Sequence, residues 1–139
     1  MADLTVTAAD VRPLTGAITR RAIANEAMTI GDAVYIDGSS GTLPTVKKAV
    51  GTAVATGNIW GVVVSQAETD STTVASGASI DVCVYGPVAG IAGTAGGFVW
   101  GSDTAGKLAD AVGTKSMIAG VMESTSVLFV RPTQAVRSA

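Results

Sequence analysis

The 139-residue chain has no histidine and a single cysteine, Cys83. The first absence removes the side chain most often used as a general base near neutral pH, which is also the commonest metal ligand. The second excludes an intrachain disulfide and a thiolate metal cluster. Charge is scarce: 14% of residues are charged, with nine basic against eleven acidic side chains and a net charge of −2. That balance excludes a strongly basic nucleic-acid binder. Aromatic residues are few, two each of Trp, Tyr and Phe, and a carbohydrate-stacking face prefers several exposed rings. No apolar run reaches the ~18 residues of a membrane-spanning helix. Residues 1–20 contain Asp3, Asp10, Arg12, Pro13 and Gly16, so no apolar secretion-signal segment is expected there.

What is abundant is Ala, Val and Gly. Hydrophobic residues make up 47% of the chain, enough to exclude global disorder. The length suggests one domain with a core of its own. A chain this apolar and this weakly charged must hide surface, by oligomerisation or by docking on a large partner.

The pattern of short Val/Ile-rich runs punctuated by Gly, Ser and Thr predicts an all-β fold, a sandwich or barrel. Strands are expected at Ala33–Ile36, Ile59–Ser65, Ser79–Tyr85, Phe98–Trp100, Ile118–Met122 and Val127–Val130. In the third, Ile80, Val82 and Val84 share one face, and Asp81, Cys83 and Tyr85 the other. Asp37-Gly38 and Gly96-Gly97 read as turns, and Gly86-Pro87 as a strand end. Lys47–Ala55 and Ala105–Ala111 could be helical, but Gly51 and Gly106 interrupt them, so little helix is expected. Residues 1–27 show no sustained alternation and read as an N-terminal arm or a frayed terminus, ahead of a single β domain over 28–139. Leu4, Val6, Val11, Leu14 and Ile18 favour an ordered arm, because they need a surface to cover.

A faint internal repeat runs through that domain. Gly31-x-x-Val34-Tyr35 followed by Gly41-Thr42-Leu43 recurs as Gly97-x-Val99-Trp100 followed by Gly106-Lys107-Leu108. Ile59-Trp60-Gly61-Val62 is echoed by Ile118-Ala119-Gly120-Val121. The repeat suggests two similar β-units; chance similarity in a Gly/Val-rich chain is the other explanation. Gly90-x-x-Gly93-x-x-Gly96-Gly97 lacks the Lys-Ser/Thr ending of a phosphate loop and reads as a flexible connector or bend between the units.

No catalytic constellation emerges. Asp32, Asp37, Asp81, Asp103 and Asp110 are not spaced as a general acid–base pair or a calcium loop. Asp37 and Asp103 sit in turn contexts where bonding to the backbone explains them. Ser39-Ser40 and Ser124-Thr125-Ser126 have no histidine partner, and no Ser-x-x-Lys joins them to Lys47 or Lys48. Cys83 reads as a small hydrophobe, with Asp81 opposing thiolate formation. Trp60 and Trp100 are core or interface anchors, core being the expectation. No catalytic residue, metal or cofactor site is assigned.

Several stretches together resemble the head decoration, or capsid cement, proteins of tailed bacteriophages. They are Ala9–Leu14 with Gly16-Ala17 and Arg20-Arg21, Ile30–Asp37, Val84–Gly90, Ser102–Leu108, and Glu123-Ser124 through Leu128–Pro132. The order and spacing of the set carry the resemblance. It implies a small β-barrel or β-tulip-like module, an oligomer with a trimer favoured, made in the host cytoplasm and seated on the outer surface of the virion capsid. The implied partner is the major capsid protein, with no nucleic acid, membrane or catalysis. The arm would be the reach element, its candidate capsid or subunit contacts being Leu4, Val6, Val11, Arg12, Leu14 and Ile18. The other reading is a phage tail or surface β-module that binds a host glycan.

Overall fold

The computed structural model describes residues 2–134 of the chain; the end of the expected 28–139 domain, residues 135–139, lies outside the described residues. Half of the described residues are strand and 5% are helix, as the composition and punctuation predict. The elements are β1 (Arg12–Pro13), β2 (Ile18–Ala24), β3 (Met28–Thr29), β4 (Ala33–Ser40), β5 (Leu43–Lys48), the one-turn α1 (Val54–Gly57), β6 (Gly61–Gln66), β7 (Thr73–Val74), β8 (Ser79–Ala89), β9 (Phe98–Gly101), β10 (Leu108–Ala109), β11 (Met117–Met122) and β12 (Val127–Gln134). A 3-10 turn covers Ala8–Asp10.

Five strands close into a barrel in the order β8-β2-β5-β4-β6, with β6 pairing back onto β8. Only the β2–β5 contact is parallel. Cross-strand partners Val63 and Val82, and Ala22 and Ile80, point inward and are fully buried. Valine suits this interior because its branched side chain is stiff and packs well on a pleated surface. The outward positions of β2 and β8 are polar where they meet water: Arg21 donates to Asp81 at 2.9 Å.

β8 leaves the barrel without ending. At Gly86 the backbone turns to φ +117°, and a Cβ there would lie 2.6 Å from the Cα of Ala17. Only glycine tolerates both conditions. The strand therefore bends and continues to Ala89, where it joins a second sheet of order β10-β9-β11-β12-β8. Gly86-Pro87 is thus a bend inside a strand, not its end. The inner face of this sheet, with Val99, Leu128 and Val130, forms one continuous core with Ala33, Val62 and Cys83, which face outward from the barrel. Cys83 is fully buried for that reason, and burial pushes its thiol pKa up.

The internal repeat has a structural counterpart. In the first unit Ala33 pairs with Val62 and Val34 with Gly61; in the second Phe98 pairs with Val121 and Val99 with Gly120. A Cβ on Gly61 would collide with the carbonyl oxygen of Cys83 in β8, and one on Gly120 with that of Phe129 in β12. Both glycines let the next strand approach closely.

The N-terminal segment is packed along this body. Asp3 bridges Ala109, the Leu4 amide donates to the Leu108 carbonyl, Val6 bridges Ile91, and Arg12-Pro13 pairs with Ala89-Val88. It runs as a strap from the β10 edge of the second sheet to its β8 edge. Ile18–Ala24 is a barrel strand with Ala22 and Ala24 fully buried, so the division at residue 27 cuts through packed structure. Other local expectations also change. Asp37-Gly38 lies inside β4, and the hairpin turns at Gly41 with φ +66°. The Gly90–Gly97 connector is tied down: the Ala92, Gly93 and Gly96 amides donate to the carbonyls of Thr5, Thr125 and Met122.

Candidate functional site

The five aspartates considered for chemistry are each engaged in holding the fold. Asp37 accepts from Asn25 Nδ2 at 2.8 Å and Thr45 Oγ1 at 2.7 Å, a strand-to-strand clamp rather than the turn expected. Burial raises its pKa, but those bonds, the Lys47 charge and its own amide outweigh that and hold the carboxyl below the ordinary value. Asp103 accepts both the amide and the hydroxyl of Thr114, which holds its carboxyl low. Asp81 takes Arg21 and Ser65, and Asp110 takes the Ala2 amide. Asp32 accepts the Thr29 amide at 2.9 Å in a mostly buried position. Burial pushes its carboxyl up, against the Thr29 bond and the charges of Lys107 and Lys48. Among the described residues no group of three or more His, Cys, Asp or Glu could hold a metal ion. No helix among them is long and apolar enough to cross a membrane.

The distinctive surface is the outer face of the second sheet. Phe98 on β9, Val121 on β11, Phe129 on β12 and Pro87 on β8 are successive cross-strand partners. They form one transverse row on one face. Trp100 pairs with Ile118 beside that row, and Tyr85 with Ile18 at its far end. The Tyr85 and Phe129 rings meet edge to face at 5.1 Å, and Phe98 and Trp100 at 6.2 Å. Phe98, Ile18 and Tyr85 remain 54%, 53% and 45% exposed.

The same molecule shows what solvent-facing strand positions look like elsewhere. On the barrel's outer surface Thr19, Arg21, Thr45 and Lys47 occupy them. At the repeat-related pair, Ala33 and Val62 are fully buried in the shared core, whereas Phe98 replaces the alanine with a large exposed ring and Val121 is half-buried. Beside Phe98 and Trp100 lies an open cleft of about 530 Å³, also lined by Leu4, Thr94, Asp110 and Met122.

Neither expectation for the tryptophans is met in full. Trp60 is half-buried against the core, and Trp100 lies on the outer apolar face. None of the six aromatic side chains is buried; the core is built from Val, Ala, Ile, Leu and Met. Of the candidate arm contacts, Val11 is buried, Leu4 and Val6 pack against the molecule's own core, and Leu14 is half-buried. Arg12 and Ile18 are exposed, Ile18 at one end of the apolar face. The row itself escaped sequence reading. Alternation marks which residues leave the core, and it needs the strand registers to show that they line up. No protein-family model, curated protein or solved structure matches the chain.

Proposed function

We propose that this protein is a capsid decoration module, which binds the outer surface of an assembled, expanded phage head and stabilises it. The observation that carries the reading is the apolar, aromatic row Phe98–Val121–Phe129–Pro87 on a sheet face that solvent would otherwise wet. Apolar faces of this kind belong to protein–protein contacts. The sequence resemblance, spread in order over the chain, supplies the partner: the major capsid protein, contacted by a homo-oligomer on the virion exterior. The function is binding rather than turnover, in keeping with the structural engagement of the candidate acids. A module that binds only the expanded lattice stabilises that state by mass action. Several weak contacts per oligomer add avidity without one tight site.

Co-sedimentation of the purified protein with shells of the cognate capsid protein tests this. Pelleting with expanded but not unexpanded shells is expected; pelleting with neither overturns the reading. A second reading has its own support in the cleft beside Trp100, where Thr94 and Asp110 offer polar groups next to an aromatic ring. That arrangement suits a sugar, and binding on a glycan array, lost in Trp100→Ala, would establish it.

A further inference from the structure

A sheet edge outside the apolar row is also left unpartnered. β2 pairs with β8 from Ile18 to Ile23, but with β5 only at Ile23 and Ala24. The Ala24 amide donates toward β8, to the Ala78 carbonyl, and the Asn25 amide toward β5, to the Val46 carbonyl. Backbone groups of successive strand residues point to opposite sides. Arg20 and Ala22 therefore face β8, and Thr19, Arg21 and Ile23 face the β5 side. There the parallel ladder stops, because its next step would bring the Arg21 carbonyl to the amide of Pro44, and proline has none. Proline in a strand keeps to an edge. Every residue from Ile36 to Thr42 is exposed, so the β4–β5 hairpin runs out into solvent and does not cover β2. The amides and carbonyls of Thr19 and Arg21 thus have no partner among the described residues.

We propose that this edge takes a segment of another protein as an added strand, with an Asp or Glu set beside Arg20. Donors and acceptors spaced along an extended edge are matched by an extended main chain. The side chains select its chemistry. Arg20 lies between Thr19 and Arg21, is exposed and has no ion-pair partner among the described residues, whereas Arg21 is held by Asp81 at 2.9 Å. A carboxylate opposite Arg20 is the complement that the edge lacks. A second copy of β2 does not supply it. The antiparallel register that engages both residues of both copies sets Arg20 directly against Arg20, and like charges so opposed destabilise a pair. Arginine placed there blocks self-association of the edge and leaves it open to an acidic strand. The proposal goes beyond the decoration reading and does not rest on it: the edge belongs to the barrel, and neither Phe98 nor Phe129 is part of it.

Amide exchange and a peptide titration on the full chain, followed by NMR, test the proposal. In the free protein the Thr19 and Arg21 amides are expected to exchange far faster than the Ala24 amide, which is bonded to Ala78. The probes are two capped seven-residue peptides of Thr and Val, one with a central Glu and one with a central Lys. The Glu peptide is expected to slow exchange at Thr19 and Arg21 and to shift both amide protons downfield. It is expected to bind roughly tenfold more tightly than the Lys peptide, the difference between attraction and repulsion at one exposed pair. Arg20→Glu is expected to reverse that order, and Arg20→Gln to level it. Slow exchange at Thr19 and Arg21 in the free chain, no response of either amide to the Glu peptide, or an equal response of wild type to both peptides overturns the proposal. The two readings fail separately. A chain that pellets with expanded shells but ignores the Glu peptide removes the added strand alone, and one that takes the peptide but is indifferent to shells removes the decoration reading alone.

Discussion

Gly61 and Gly120 occupy repeat-related places and meet the same obstacle, the carbonyl of the next strand. A methyl group at either position must push β8 or β12 away. Gly120→Ala is expected to lower stability by roughly 2–3 kcal/mol, the scale of an overpacked core site, read as a lower urea midpoint with an unchanged slope. A midpoint equal to wild type would show that the strand gives way freely. Asp32 makes a prediction of the opposite sign. Its folded-state pKa lies above the ordinary 3.8 because of burial, so its charged form opposes folding at neutral pH. That opposition is present above the folded pKa and fades as pH falls toward 3.8. Asp32→Asn keeps an oxygen for the Thr29 amide and is expected to be at least as stable as wild type at pH 7, with the difference shrinking in acid. Urea unfolding at both ends of that range checks it; a marked loss at pH 7 would show that Lys48 and Lys107 depend on the carboxylate.

At the scale of elements, legibility followed local chemistry. β4, β6, β8, β9, β11 and β12 all overlap windows of alternating or continuous Val and Ile, and were readable as strands. β2 was not, because Ile18-Thr19-Arg20-Arg21 exposes all four side chains and only Ala22 and Ala24 reach full burial. Its strand character comes from pairing with residues some sixty positions later, as in Arg21 with Asp81. The outer row was illegible for the same reason: Phe98 and Pro87 fall at the two ends of one row only through the registers of β11 and β12. Placing Ile18–Ala24 in the barrel sets the outcome of truncation. Removing residues 1–20 strips Ile18, Thr19 and Arg20 from β8 and is expected to abolish the cooperative melt. Removing only 2–7 takes away the half-buried Leu4 and Val6 and a few strap hydrogen bonds, with an expected cost of roughly 2 kcal/mol. Circular dichroism during heating separates the two. A full-amplitude melt in the longer truncation would mean that β2 is dispensable, and the strap could then be probed freely for shell binding.

The whole molecule is two units that share a strand. β8 contributes Ser79–Tyr85 to the barrel and Gly86–Ala89 to the second sheet. The buried side chains of both halves form a single cluster, and the N-terminal strap ties β10 to β8. Losing the second sheet would strip the cover from Ala33, Val62 and Cys83; losing the barrel would free one edge of β12. Neither unit can therefore open without exposing the core of the other. One calorimetric transition is expected, with equal calorimetric and van't Hoff enthalpies once the mass of the unfolding species is taken into account, near 100 kcal/mol per chain for a protein of about this length. Two resolved peaks, or a van't Hoff enthalpy near half the calorimetric value, would mean that the bend at Gly86 acts as a boundary. The repeat would then mark two independently stable modules. A single transition instead means that the outer row rides on one cooperative body, so that docking is expected to order side chains and little backbone.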